Sequence, residues 1–170
     1  MAAASRFMNQ PVILQAHEPL AARIARAITA AAAEELSADV IDKVKLCLTD
    51  LIGCALESRD LPWSRQAVNV AQRVQDPASA ATISGARGAF GCADAAFANA
   101  VMGHGLVRED MHAGSISHLG IAVLPALLAL AQLRRVSGRD FIAATLAGYE
   151  VGGQVGRALM DAEVAKIHRP

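Results

Sequence analysis

The chain has 170 residues, its 16 Lys and Arg balance its 16 Asp and Glu, and 54% of its residues are hydrophobic. That length suits one domain with a sizeable core, and the hydrophobic fraction excludes a disordered chain. The zero formal charge argues against a general nucleic-acid binder, which usually carries a basic excess.

Three α-helices are predicted in the first half of the chain. The first runs from Pro19 to Glu35, where alanine, the best helix former, dominates. The second follows Ser37, a typical N-cap residue, and continues to about Ser58. One of its faces repeats apolar residues at helical spacing and is predicted to be buried: Val40, Val44, Leu48, Leu51, Ile52 and Ala55. The third helix has Pro62 in its first turn and ends before Asp76.

The second half predicts three more helices. The short apolar run from Ala80 to Ser84 fits a strand or an extended segment, and the sequence does not decide between them. Ser137, with Asp140 three residues later, resembles a capping box for the last helix. The three predicted ranges are Ala89 to Met102, Leu119 to Arg135, and Arg139 to Met160. The predicted fold class is therefore all-α.

Several features indicate a soluble cytoplasmic protein. The longest apolar stretch, Leu119 to Ala131, contains Pro125 and is shorter than the roughly 20 apolar residues that span a bilayer. No secretory signal is visible near Met1. The three cysteines, at 47, 54 and 92, contain no Cys-x-x-Cys pair, which favours a reducing compartment.

Two patterns are assigned to packing. Gly152, Gly153 and Gly156 resemble part of a nucleotide-binding loop, but they lie inside a predicted helix. We expect them to let another helix approach closely. Cys47 and Cys54 lie on the apolar face of the second helix and are expected to be buried small hydrophobic residues.

The segment from Gly103 to Ser117 breaks the helical rhythm. Candidates for chemistry gather in it and at the start of the next helix: His104, Glu109, Asp110, His112 and His118. Three interpretations remain open, namely a solvated connection, a metal site built from Asp110, His112 and His118, and acid–base chemistry. The spacing matches no short metal signature, so metal is the least favoured. His104 and His118 also have a structural alternative, which is to cap the helices that they flank.

Five segments carry a resemblance to a known family. They are LTDLIGCA (48–55), AAFANAVMGH (95–104), HLGIAVLPALLALAQ (118–132), GRD with AGYEV (138–140 and 147–151), and IHRP (167–170). In this order and spacing, from about Ala16 onward, they resemble the MmgE/PrpD family, which includes 2-methylcitrate dehydratase, cis-aconitate decarboxylase and iminodisuccinate epimerase. No single motif is highly specific, but the set is.

The resemblance implies a lyase, a dehydratase or decarboxylase, that acts on a small di- or tricarboxylate by histidine-mediated proton transfer. It implies no metal, no organic cofactor and a homodimer. The charge balance and the short apolar stretches separately predict no nucleic-acid and no membrane partner. The chain is expected to represent the N-terminal portion of the family's helical domain, without the lid domain. We expect residues 1–15 to be a flexible N-terminus and residues 16–170 to form this incomplete domain. By itself the chain is expected to have little or no activity.

The resemblance also implies site residues. The catalytic candidates are His118, His168 and Asp110, and the substrate-binding candidates are His104, Arg108, Met111 and His112. Val107 and Met111 stand where the family has an aspartate and a threonine. Arg108 replaces a phenylalanine and adds a candidate anion clamp. These differences predict a substrate other than 2-methylcitrate or cis-aconitate.

A function from another class fits the sequence as well. The chain could be a non-catalytic helical module whose exposed apolar faces bind a partner or a second copy. Protection against thermal unfolding by small carboxylates would favour the enzyme site instead.

Overall fold

The computed structural model describes residues 18–33, 35–73 and 80–161. These residues form six α-helices: α1 (Leu20–Ala33), α2 (Ala38–Ser58), α3 (Pro62–Arg73), α4 (Cys92–Gly103), α5 (Leu119–Arg134) and α6 (Gly138–Asp161). Their β structure is limited to two isolated bridges, Ala81 with Phe90 and His112 with Ser117. The all-α prediction is thus confirmed for this part of the chain. The predicted flexible N-terminus (1–15) and His168 lie outside the described residues.

Both predicted N-terminal caps are present. Ser37 Oγ accepts a hydrogen bond from the Val40 N–H at 3.4 Å, and α2 begins directly after it. Ser137 Oγ accepts from the Asp140 N–H at 3.1 Å and donates to Asp140 Oδ2 at 2.8 Å, which fixes the start of α6. α5 continues through Pro125, although the ring removes one backbone donor. Among the described helices, none is both long enough and apolar enough to cross a membrane.

The undecided segment between α3 and α4 is extended. Ala81 and Phe90 exchange backbone hydrogen bonds of 3.2 and 2.8 Å. Because Phe90 is held in this pair, α4 begins at Cys92 and not at the predicted Ala89. The buried Asn99 of α4 fixes the segment from inside: its side chain donates to a backbone carbonyl and accepts from a backbone N–H, those of Thr82 (2.8 Å) and Ser84 (2.9 Å).

Two clusters of buried side chains hold the helices together. Seven of the ten residues of the larger cluster are alanines, contributed by α2, α3, α4, α5 and the extended segment, and the other three are Ile83, Phe90 and Met102. Small side chains let the helix axes approach closely. The smaller cluster joins α2 to α5 through Cys47, Leu51 and Leu124. The many alanines of the sequence therefore contribute to the core, where they allow close packing of the helices.

The buried face predicted for α2 is confirmed at three of its six positions, and Val40 and Leu48 are partly buried. Val44, Leu51 and Ala55 are buried, as are both cysteines that were predicted to act as small hydrophobic residues. The prediction for Ile52 is wrong, because its side chain is 36% exposed. Ile52 directly follows Leu51, and one residue rotates about 100° around a helix, which turns it away from the core.

The expectation that the glycines of α6 admit another helix is confirmed for Gly152, whereas Gly153 and Gly156 face the segment between α4 and α5. A Cβ added to Gly152 would lie 2.6 Å from Leu119 Cδ2 of α5. A Cβ on Gly156 would overlap the Cβ of Ser115 and lie 3.3 Å from its Cα. Gly152 therefore admits the neighbouring helix, and Gly156 admits the segment that precedes α5.

Candidate active site

Residues 104–118, here called the polar loop, connect α4 to α5 and run along α2. A Cβ added to Gly105 would lie 2.7 Å from Ser58 Cβ, at the C-terminal end of α2. Arg108 Nη1 donates to Glu57 Oε1 at 2.6 Å. The backbone N–H of Asp110 donates to Asp50 Oδ2 at 3.0 Å, nearer the middle of α2. The first half of the loop is thus fixed against one rigid helix, which suits the presentation of chemical groups.

His104 and His118 meet at the base of the loop, where they contact Glu109. We call these three residues the imidazole cluster. The ring centroids are 5.2 Å apart and the ring planes make an angle of 70°. Nδ1 of His104 is hydrogen-bonded to Glu109 Oε1, and Nδ1 of His118 lies 3.0 Å from the same oxygen. The Glu109 side chain is fully buried, whereas His104 is 45% and His118 26% exposed, so both rings remain accessible to a ligand.

The capping alternative explains little of this arrangement. His118 is the N-cap residue of α5, but its side chain makes no capping hydrogen bond, so that alternative is wrong for its imidazole. His104 caps α4 through its backbone N–H, which donates to Ala100 O at 3.0 Å. Its imidazole points instead to Glu109.

Asp110 lies among α2, α5 and α6. The Tyr149 hydroxyl donates to its Oδ2 at 3.0 Å, while Oδ1 is buried without a hydrogen-bond partner among the described residues. Burial raises the pKa of Asp110, and the negative charges of Asp50 and Glu109 add to this rise, while the Tyr149 hydrogen bond opposes it. Burial likewise raises the pKa of the Tyr149 phenol, which keeps the hydroxyl protonated as a donor.

A cavity of about 230 Å³ opens beside Asp110, between α2 and α6. Met111, His112 and Lys43 line it as well, and the Met111 side chain is 55% exposed. The His112 ring is held in place because its Nδ1 lies 2.7 Å from Ser115 Oγ. The cavity thus combines an acid, an imidazole and an ammonium group with apolar walls.

Two β-branched residues of the polar loop adopt a left-handed backbone conformation. Val107 has φ 54° and Ile116 has φ 48°, and both side chains are exposed. This conformation is rare for β-branched residues and costs about 1–3 kcal/mol. Val107 lies two residues before Glu109 and Ile116 two residues before His118, so each strained position is close along the chain to a member of the imidazole cluster.

The structure divides the predicted site residues into groups. His104 and His118 come together, whereas Asp110, Met111 and His112 surround the cavity. Arg108 lies apart, exposed and paired with Glu57, so the anion clamp stays a prediction. His168 lies outside the described residues.

From the sequence, Glu109 was named among the candidates for chemistry but was given no catalytic or substrate-binding role, and Tyr149 was named only within a family motif. Glu109 was one charge among several in a loop without periodicity, and nothing in the sequence marks it as buried. The sequence signal for Tyr149 was its position after Gly148, a glycine inside a predicted helix. In the structure, a Cβ added to Gly148 would lie 2.7 Å from Val123 of α5. A tyrosine beside such a close helix contact is partly buried, and its hydroxyl then needs a hydrogen-bond partner.

The imidazole cluster also has the composition of a metal site. Its ligand atoms lie within 4.8 Å of one another, and two imidazoles with a carboxylate suit Zn²⁺. Within the described ranges this spacing is found for the cluster, and not for the set considered from the sequence, Asp110, His112 and His118. In the structure, the contact between His104 and Glu109 is a hydrogen bond.

The chain is similar in sequence to a family of known proteins. Residues 22–170 match the MmgE/PrpD N-terminal domain. The chain is 31% identical over 137 residues to the cis-aconitate decarboxylase-like protein oryM of Aspergillus oryzae, a match that covers 76% of the chain and 28% of that protein. It is 27% identical over 138 residues to the cis-aconitate decarboxylase of Aspergillus terreus, over 78% of the chain and 28% of that protein. No solved structure shows significant similarity to the chain.

The domain match covers most of the chain and confirms the resemblance carried by the five segments. The aligned part spans only 28% of the length of these relatives. The chain therefore belongs to the MmgE/PrpD family and corresponds to its N-terminal domain.

Proposed function

We propose that this chain carries the acid–base part of a lyase site that acts on a small di- or tricarboxylate. The observation that supports the proposal best is the meeting of two partly exposed imidazoles, His104 and His118, at a buried carboxylate. Imidazole changes its charge near neutral pH, and a positioned acid–base group accelerates proton transfer by about 10²–10⁴-fold. The reaction would transfer a proton at a carbon next to a substrate carboxylate.

His118 is the proposed acid–base residue. It stands at the start of α5, a rigid helix, with part of its ring exposed. His104 lies beside it and would contact the substrate. Asp110 is a further candidate, because a carboxyl group with a raised pKa can carry a proton closer to neutral pH. The role of His168 rests on the resemblance alone.

The substrate class is proposed from two sources. One relative is named a cis-aconitate decarboxylase, and cis-aconitate is a tricarboxylate. The loop differs from the family pattern at Val107 and at Met111, and Met111 lines the cavity. We therefore propose a small carboxylate whose side group contacts the apolar Met111 where the family offers a threonine hydroxyl.

Ligand binding tests this proposal. ¹⁵N-labelled chain would be titrated with cis-aconitate and citrate, with acetate as a monocarboxylate control, while the imidazole resonances are followed by NMR. We expect the signals of His104 and His118 to shift saturably with the polycarboxylates and the His118→Asn variant to lose the response. His112→Asn is the comparison variant at the cavity. If His118→Asn binds the polycarboxylates as the wild type does, whatever the effect of His112→Asn, the role proposed for His118 is wrong.

A second function, self-association as a homodimer, is favoured by one observation. An apolar groove of about 250 Å³ lies between α1 and α6 and is lined by Ile24, Ile28, Leu146, Val151 and Val155, among others. We propose a second copy of the chain as its occupant. Sedimentation velocity should then show a dimer that Ile28→Glu converts to monomer. Leu46→Glu, at a 64% exposed position of α2 outside the groove, is the matched control and should leave the dimer intact.

A further inference from the structure

Glu109 is a buried acidic residue of the polar loop that is paired with two histidines. Its side chain is fully buried, and its pairing partners among the described residues are the two histidines of the imidazole cluster. The neighbouring Arg108 is paired with Glu57 on the exposed side of the loop. Burying an isolated carboxylate is strongly unfavourable, so the imidazole N–H groups must supply its stabilisation.

Both rings present the same nitrogen to Glu109. His104 and His118 each place Nδ1 near Oε1, through a hydrogen bond and at 3.0 Å respectively. A carboxylate can only accept, so each Nδ1 that pairs with it carries a proton. A neutral imidazole has one N–H group, and a proton held on Nδ1 leaves Nε2 as an acceptor.

Two buried atoms of this cluster lack an aligned hydrogen-bond partner, Glu109 Oε2 and His118 Nδ1. They belong to groups that are already within 3.0 Å of each other. The terminal torsion of a glutamate has a broad energy profile, so a rotation of the carboxylate costs little and can direct one oxygen to each ring. The two unsatisfied atoms can therefore satisfy each other.

We infer that Glu109 is the positioning residue of this site: its carboxylate holds the Nδ1–H groups of both His104 and His118 and so leaves the Nε2 atom of each ring free to carry a proton. The inference rests on the function proposed above and deepens it. When a substrate C–H bond breaks, the proton goes to Nε2 of His118 and the electron pair stays on the substrate carbon. The resulting imidazolium is stabilised by the negative charge of Glu109, as carboxylates stabilise catalytic imidazoles elsewhere.

The tautomers of the histidines test the inference without requiring activity. In the ¹⁵N-labelled 170-residue chain, two-bond ¹H–¹⁵N correlation spectra distinguish Nδ1–H from Nε2–H rings. Spectra would be recorded with EDTA, above about pH 8, where an ordinary imidazole is neutral. We expect the Nδ1–H form to dominate in His104 and His118. Glu109→Gln should lower the ratio of Nδ1–H to Nε2–H in His118 by about 10-fold, because a charge-assisted acceptor is lost.

Glu57→Gln is the matched control, since it removes an exposed carboxylate that is paired with the same loop, and both histidines should keep their tautomers. A dominant Nε2–H form of His118 in the wild-type chain, or an unchanged ratio in Glu109→Gln, would overturn the inference. Should that variant fail to fold, the wild-type tautomers decide. A chain that binds no carboxylate yet shows both Nδ1–H forms would refute the proposed function and leave the role of Glu109 intact.

Discussion

Replacement of Gly120 by alanine should destabilise the protein strongly, because this glycine lets Asp110 approach the first turn of α5. A Cβ at position 120 would overlap Asp110 Oδ1, lie 3.0 Å from its Cγ and lie 2.9 Å from the Tyr149 hydroxyl. Asp110 is also held by its backbone hydrogen bond to Asp50, so it cannot withdraw without breaking other contacts. The methyl group therefore has to displace the partly buried hydrogen-bonded pair of Asp110 and Tyr149.

The magnitude follows from two effects. Overfilling a packed site costs about 1–3 kcal/mol, and losing a hydrogen bond to a charged group costs about 1.5–3 kcal/mol. We therefore expect Gly120→Ala to lower the free energy of unfolding by about 3–5 kcal/mol. For a protein of this length, that corresponds to a decrease in Tm on the order of 10 °C.

Gly53→Ala provides the matched control within the same fold. Gly53 lies in the interior of α2, it is exposed, and an added Cβ would have no neighbour within 4 Å. Alanine is favoured over glycine in a helix interior by about 0.5–1 kcal/mol, so this variant should be more stable than the wild type. Urea unfolding of both variants measures the contrast.

A double mutant identifies the cause. If the overlap with the carboxylate dominates, Gly120→Ala should cost about 1–3 kcal/mol less in an Asp110→Ala background. An equal cost in both backgrounds, or a Gly120→Ala protein as stable as Gly53→Ala, would refute the reasoning.

Four further predictions concern stability. Burial is the main cause of the raised pKa of Asp110, so protonation of this carboxyl group stabilises the folded state. This stability is fully present below the ordinary pKa of 3.8 and is lost as the pH rises through the folded-state pKa. Asp110→Asn should therefore flatten the pH dependence of the free energy of unfolding in this range. Asp60 should affect stability in the opposite direction, because hydrogen bonds from two arginines lower its pKa. Its contribution to the free energy of unfolding is lost as the pH falls through the folded-state pKa, and Asp60→Asn should abolish this small pH dependence. Val107→Gly should raise the free energy of unfolding by about 1 kcal/mol, because it relieves a positive φ at an exposed side chain. Asn99→Ala should lower it by about 2–4 kcal/mol, because two backbone groups of the extended segment lose their partners, whereas Gln132→Ala, at the less buried side of the same segment, should cost less.

Urea unfolding checks all of these variants, at several pH values for the two aspartates. A wild-type pH profile in Asp110→Asn would contradict the effect expected from burial, and a Val107→Gly protein less stable than the wild type would contradict the strain at position 107. Equal losses in Asn99→Ala and Gln132→Ala would show that burial of the hydrogen bonds does not set their contribution.

The helices were predictable from sequence because their signals are local. The repeat of apolar residues along α2, the cap at Ser37 and the reciprocal pair of Ser137 and Asp140 each involve residues within a few turns of one another. The family was likewise identified from the order of short segments, each of which is recognisable without knowledge of the fold.

The site was predictable only as a set of residue types. Glu109 and Asp110 are adjacent in sequence, yet the first contacts the two histidines and the second contacts Tyr149 and Gly120. A loop has no period, so the direction of each side chain depends on the backbone angles and on helices that are distant in sequence. The sequence by itself determined which helices form and which chemical groups gather between α4 and α5. Only the tertiary structure decided which of those groups are buried and which of them meet, because burial and close contact arise when α2, α5 and α6 pack around the loop.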